Sequence, residues 1–249
     1  MYRNSCVRAM PPPLPTAPKT GRPRRLAANQ VVAEARRIGA DEGAEALTMR
    51  RLADALGVLP NALYTYFPDK LSILDAVLDD LIGDVERPDP NASPRRGLVS
   101  LMASYRNLLL TQPGLIALTV SRPQIGPKAI RLREDGLTLL KRGGLSDADA
   151  VRAYMTLFAY TAGFVAFEAG RPAGERDLEQ RADVRKIHES LPADGFPTTR
   201  ALAKRLAKRP GDAEFTYGLE RLLDGFGVTR PPTAPSARAA PRGPRQASD

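Results

Sequence analysis

LTMRRLADALGVLPNALYTYFPDK, residues 47–70, sets two short helical arms around a glycine and carries little else. Leu47, Leu52, Ala53 and Leu56 recur at helical spacing on the first arm, Gly57 is placed to leave that helix in a left-handed conformation, and Val58 plugs the corner. Pro60 suits the first turn of a second helix, whose apolar side is Leu63 and Phe67. Pro60, Asn61, Ala62, Tyr64, Thr65 and Tyr66 are left to divide between packing and contact with something outside. Two short helices joined this way are the layout of a helix-turn-helix DNA reader, and small hydrogen-bonding groups on an exposed helix suit base edges.

Outward from this stretch the pattern stays helical, with almost no strand signal. Val31, Val32, Ala35 and Ile38 form the inner stripe of a preceding helix that Gly39 and Gly43 help to end. Asp69 is placed to cap a following one with the stripe Ile73, Leu74, Val77, Leu78 and Leu81. Prolines at 88, 90 and 94 mark a joint over Arg87 to Pro94. Beyond it the spacing predicts an apolar helix over about 95–111, a short one near 115–119 and another over 127–142, stopped by Gly143 and Gly144. A long helix then runs from Asp147 to about Ala169, apolar on nearly every side, and a last one carries Phe215, Leu219, Leu222, Leu223 and Phe226 on one stripe. A helix without a wet face must be covered twice, and the simplest second cover is another copy of the chain, giving a four-helix bundle about a two-fold axis.

The predicted fold class is all-α: an N-terminal three-helix helix-turn-helix domain over 26–86 and a C-terminal helical domain for ligand binding and dimerisation over 94–228. A basic arm (1–25) and tail (229–249), rich in Pro, Ala and Arg, hold too few large apolar groups to offset ordering entropy and are expected to be disordered.

At 249 residues the chain is long enough to fold without staples. One cysteine, Cys6, permits no internal disulfide and points to a reducing cytoplasm; with His188 as the only histidine, no metal cluster is expected and no cofactor. The N-terminus lacks the apolar run of a secretion signal, and the weakly charged stretch Ala153 to Phe167 is shorter than the roughly 20 residues that span a bilayer, so no membrane partner is expected. An enzyme is disfavoured, since no Gly-rich phosphate loop, nucleophile elbow or metal-ligand spacing occurs; Glu134-Asp135 and Asp79-Asp80 read as solvated helix faces. The net charge of +9 invites a nucleic-acid reading, but its location qualifies it. Residues 1–25 and 230–249 hold the surplus, and 26–229 carry 27 basic and 27 acidic residues. A few placed cations and helix N-termini must hold DNA locally, with the arm through Arg24 and Arg25 adding salt-sensitive attraction.

From about Leu26 to Asp84 the chain resembles the DNA-binding domain of the tetracycline-repressor (TetR) family, whose pattern is a leading helix, then LT-x-R-x-LA-x-x-LGV, then LY-x-x-F-x-x-K. Leu47, Thr48, Arg50, Leu52, Ala53, Leu56, Gly57, Val58, Leu63, Tyr64, Phe67 and Lys70 stand at those positions. The remainder is similar to the tetracycline-repressor type of C-terminal domain through Ser121-Arg122-Pro123, the Gly144 to Asp147 turn and the Phe215 to Phe226 helix, so that about four fifths of the chain is covered.

The resemblance implies a homodimer reading a palindromic stretch of double-stranded DNA and released by a small-molecule effector. It makes Arg50 the base-reading arginine, against a solvated surface residue. Pro60, Asn61 and Ala62 take base-facing positions; Asn61 has a donor and acceptor for adenine, against a simple turn residue. Thr48 caps its helix or meets a phosphate, Thr65 lies on the same outer side, and Tyr64 and Tyr66 meet phosphates or pack as core. Lys70, with the free N–H groups of its helix, meets a phosphate. Alignment gives the effector wall as Leu101, Tyr105, Leu118, Arg122, Tyr154, Leu157 and Thr161, with ordinary core as the alternative for the last three. Arg122 is the one permanent charge of that set, or else a capping or salt-bridged arginine. The family's metal-chelating histidine falls at Leu118, so a hydrophobic effector is expected in place of a magnesium complex. Activation, or sequestering of a ligand without DNA, are the rival functions.

Overall fold

The structure, a computed structural model, describes residues 26–170 and 175–228; the basic arm and tail lie outside them. Among the described residues the chain is helical and contains no strand. The head is built by α1 (Ala28–Glu42), α2 (Met49–Leu56) and α3 (Pro60–Tyr64), followed by α4 (Lys70–Ile82). Val31, Val32, Ala35 and Ile38 of α1 close over Leu52, Ala53, Leu63 and Phe67, all buried. The turn between α2 and α3 has a physical cause in Gly57, at φ 65° and ψ 34°. Its N–H reaches the Asp54 carbonyl while that of Val58 reaches Ala53 (3.0 Å), the paired bonds that end a helix on a left-handed residue.

Gly39 has a different part from the one its sequence position suggests. Helix α1 continues through it to Glu42 and ends at Gly43, φ 88°. A Cβ at Gly39 would meet the Leu115 side chain, and one at Gly114 would strike the Gly39 carbonyl, so these two glycines let α1 lie directly on the turn Pro113–Leu115.

The body begins at α5 (Pro94–Thr111), capped by Ser93, and continues through α6 (Ile116–Ser121), α7 (Pro127–Arg142) and α8 (Asp147–Ala169). After them come α9 (Glu175–Glu189), the short α10 (Pro197–Ala201) and α11 (Ala203–Leu206), and finally α12 (Asp212–Gly225). Helix α5 runs through the middle, packed on α7 and α8 with α12 beside it. Gly97 admits Leu139 against α5, and Gly136 admits Tyr154 against α7. The helices α9 to α11 are not anticipated by the sequence pattern: α9 has no apolar stripe, and its Leu178 and Ile187 are exposed.

Helix α8 is long and apolar enough to cross a bilayer, yet Ala150, Ala153, Tyr154, Leu157, Thr161, Ala162 and Val165 are buried on one of its sides. Val151, Met155 and Phe167 stand out on the other, as does Tyr217 of α12. Two arginines on α5 are buried. Arg95 pairs with Glu220 and Asp224 of α12; Arg106 pairs with Glu168 of α8 (2.9 Å) and Asp212 (2.7 Å) and lies over the Phe215 ring at 5.0 Å.

Candidate nucleic-acid interface and effector site

The outward surface of the head is α3. Leu59, Pro60, Asn61, Tyr64 and Thr65 are exposed and Ala62 half-buried, while Leu63 faces the core. The helix stops at Tyr64, so Thr65 and Tyr66 belong to the turn beyond it. On α2, Arg50 is exposed with no ion pair to it among the described residues, whereas its neighbour Arg51 is held by Glu42 (2.5 Å). Thr48 serves as the cap of α2, its hydroxyl accepting from the Arg51 N–H at 3.0 Å.

Two of the expected phosphate contacts are modified by their surroundings. The Tyr66 hydroxyl donates to the Leu26 carbonyl, a partly buried bond that ties the start of α1 to the turn after α3. Its proton is therefore engaged within the head. Lys70 opens α4, but Asp69 already caps that helix by accepting from the Ser72 N–H at 2.7 Å, placing a carboxylate at the same end. Arg24 and Arg25 lie outside the described residues.

Helix α4 joins the head to the body through a row of carboxylates. Asp75 pairs with Arg122 (2.6 Å) and Asp80 with Lys128 (2.8 Å) of the body, while on the head side Arg36 of α1 holds Asp80 (3.0 Å) and Asp84 (2.6 Å), just past the end of α4. Asp79 accepts the Ala129 N–H at 2.9 Å, so it caps α7 from another helix; a Cβ at Gly126 would collide with that carboxylate. Asp79 and Asp80 are thus fastened across the seam and are not the solvated face that their sequence suggests.

Six of the seven residues expected to line the effector site gather in the core: Leu101, Tyr105, Leu118, Tyr154, Leu157 and Thr161 are all buried. Phe158, absent from the expected set, sits between Tyr105 (4.8 Å between ring centres) and Tyr154 (4.5 Å). Thr161 donates to the Leu157 carbonyl at 2.8 Å and lies 3.6 Å from the Met102 sulfur. Arg122 is the exception. Its guanidinium turns to Asp75 on α4, which supplies the counter-charge that an apolar chamber lacks, so it is the salt-bridged arginine of the two readings.

The polar end of this cluster holds residues that sequence reasoning missed. The Tyr105 hydroxyl is buried without a hydrogen-bond partner. Burial pushes its pKa up; the Thr119 and Gln124 side chains come near enough to offset part of the rise without reaching hydrogen-bond geometry. Burial likewise pushes Tyr154 up to about 12, against the charge of Arg133 beside it. Arg133 donates to the Gln124 carbonyl (2.7 Å), and the Gln124 amide donates to the Thr119 carbonyl (2.9 Å). No spacing rule links these positions, since the connection between α6 and α7 brings them together. A concavity of about 300 Å³ lies apart from this cluster, at the seam between the end of α4 and the start of α7, next to Arg87 and Arg131.

Residues 31–77 match the family model for bacterial regulatory proteins of the tetR family, and residues 87–230 match that for the tetracyclin repressor-like C-terminal domain. The HTH-type transcriptional repressor DrrR1 of Streptomyces coeruleorubidus is 33% identical over 223 residues, which cover 85% of this chain and 81% of that one. The Streptomyces coelicolor TetR family protein ActR, solved in complex with actinorhodin, superposes with a TM-score of 0.76 at 28% identity, covering 81% of this chain and 95% of its own. BioQ, solved with its double-stranded DNA operator, gives a TM-score of 0.59 at 25% identity over 82% of this chain and 99% of that one. These are regulators and not enzymes. With a helix-turn-helix head, a helical body and family models matching both parts, the chain belongs to the TetR family of transcription regulators.

Proposed function

We propose that the protein is a cytoplasmic homodimeric repressor that holds a palindromic operator and lets it go when a hydrophobic, aromatic effector enters the body. The observation that carries this reading is the outer face of α3, where Pro60, Asn61 and Tyr64, with Thr65 in the turn that follows, stand exposed on a helix whose other side is locked into the core. One such helix touches too few bases to select a site in a genome; two held at a fixed spacing read an inverted repeat. The exposed apolar residues Val151, Met155 and Tyr217 supply the second-copy interface. In this reading Arg50 and Asn61 read base edges, Thr48, Tyr64, Thr65 and Lys70 sit at the backbone, and Tyr66 positions the turn. Actinorhodin bound to ActR is the precedent for an aromatic effector.

An effector that favours the splayed heads shifts the population away from the DNA-competent form by no more than its differential affinity. Footprinting the purified protein on DNA flanking its own gene tests the whole reading. Protection of an inverted repeat, lost when an effector is added, is expected. Absence of protection on any flanking sequence, with ligand binding intact, favours a sequestering dimer and overturns the repressor.

A further inference from the structure

The nature of the effector is written in the polar end of the aromatic cluster, and this inference rests on the effector reading given above. Buried hydroxyl groups nearly always have partners, because leaving one unpaired costs the full desolvation of that group. Tyr105, 1% exposed, has none. Arg133 is half-buried beside the Tyr154 hydroxyl, and no carboxylate lies within ion-pair distance of it among the described residues. The other inward arginines contrast with it: Arg36, Arg95, Arg106 and Arg122 each hold an acid. An orphan phenol and a half-buried cation without a counter-ion thus accompany a row of three tilted rings, in which Phe158 lies between Tyr105 and Tyr154.

We infer that the effector is a planar aromatic acid. Its ring takes the place of Phe158 between the two tyrosines, its carboxylate or acidic phenol pairs with Arg133, and the Tyr105 hydroxyl donates to one of its oxygens. The charge-assisted contact to a planar guanidinium gives both orientation and selectivity over neutral analogues. Arg133 is therefore the specificity-determining charge of the chamber, the part that its sequence position had given to Arg122.

The test uses the full-length protein, titrated by calorimetry with anthraquinone-2-carboxylate and with the isosteric, neutral anthraquinone-2-carboxamide. The wild type is expected to prefer the acid by about tenfold or more, equivalent to about 1.4 kcal/mol. Arg133→Gln brings the two probes level. Tyr105→Phe weakens both and raises the melting temperature of the ligand-free protein, which a folding defect does not do. Equal binding of acid and amide by the wild type, a preference retained by Arg133→Gln, or no binding of either probe overturns the inference and leaves the operator footprint to judge the repressor. Leu157→Trp, which fills the chamber, abolishes both titrations; binding that survives it places the site elsewhere and overturns the effector reading beneath the inference.

Discussion

Arg122 of the body grips Asp75 of α4 at 2.6 Å and reaches across the seam between the ligand-binding body and the DNA-reading head. The pair joins the two parts of the molecule, so it is placed to transmit a movement between them. The coupling between two sites is a free energy, about 1–3 kcal/mol in proteins of this kind of behaviour, and it resides in contacts that differ between the two states. Arg122→Ala is expected to leave effector affinity unchanged while cutting the effector-driven loss of operator binding severalfold. Its cost in stability is about 1 kcal/mol, since both partners are part-exposed. The checks are calorimetric titration of the effector and operator binding with and without it; release as complete as in the wild type would sink the assignment.

Asp79 caps a helix that it does not belong to, and this predicts a reversal of sign at a second position. Gly126 occupies the cap position of α7 with ordinary extended backbone (φ −69°, ψ 162°), and the atoms nearest to an added Cβ belong to the Asp79 carboxylate. Asp79→Ala should cost about 1 kcal/mol, the usual worth of a helix cap. Gly126→Ser should destabilise the wild type by collision and stabilise Asp79→Ala by capping α7 locally. Urea denaturation of the four proteins decides it, and a serine that acts in the same direction in both backgrounds refutes the inter-helix cap.

Arg106 is buried, doubly paired and stacked on Phe215, whereas its partner Glu168 is only 13% exposed. Removing one member leaves the other as an uncompensated buried charge, so Arg106→Met is expected to cost about 3–5 kcal/mol. Adding Glu168→Leu should recover much of that loss, because a buried ion pair gains little over apolar packing of similar volume. Asp212, almost fully exposed, is expected to contribute little. Thermal and urea unfolding measure the cycle; a double variant no more stable than Arg106→Met would show that the pair matters through geometry instead of charge.

At the DNA face, Lys70→Ala is expected to weaken binding to all sequences alike and to reduce the slope of log affinity against log salt by about 1. Asn61→Ala should alter which base is preferred at one operator position and cost about 1–3 kcal/mol there. Binding to operator and random duplexes over a salt series separates the two. An equal loss on both duplexes for Asn61→Ala removes it from the reading set.

The head was legible because its signals are local. Thr48, Gly57, Pro60 and Asp69 each act within about four residues of themselves, and the stripes between them follow one helical period. The seam was not legible, because Arg122 finds its partner 47 residues back along the chain; nor were the ion pairs inside the body, where Arg95 and Arg106 find partners 125 and 106 residues on. An acidic pair such as Asp79-Asp80 looks solvated until the body's Ala129 and Lys128 are seen against it. Helices α9 to α11 escaped notice because their apolar residues make no single stripe. In the core of the body, alignment brought together buried residues of the proposed effector wall, while its polar end depends on a loop placing Gln124 next to a helix bearing Arg133.

Phe158 offers the sharpest separation between packing and function. Its ring fills the space between Tyr105 and Tyr154, so Phe158→Ala leaves a cavity and should lower stability by about 2–3 kcal/mol, somewhat less than a fully buried ring would cost. A residue that only packs the core would weaken ligand binding along with the fold. A placeholder does the opposite: the wild-type chamber must expel its own ring before a guest enters, and that requirement reduces apparent affinity by the fraction of molecules already open. The variant is therefore expected to be less stable and yet to bind anthraquinone-2-carboxylate about threefold or more tightly, with a slower off-rate. Unfolding by urea and titration by calorimetry, run on the same preparation, give both quantities. Weaker binding in a variant that still folds would mean that Phe158 is part of the wall and that the guest stacks elsewhere.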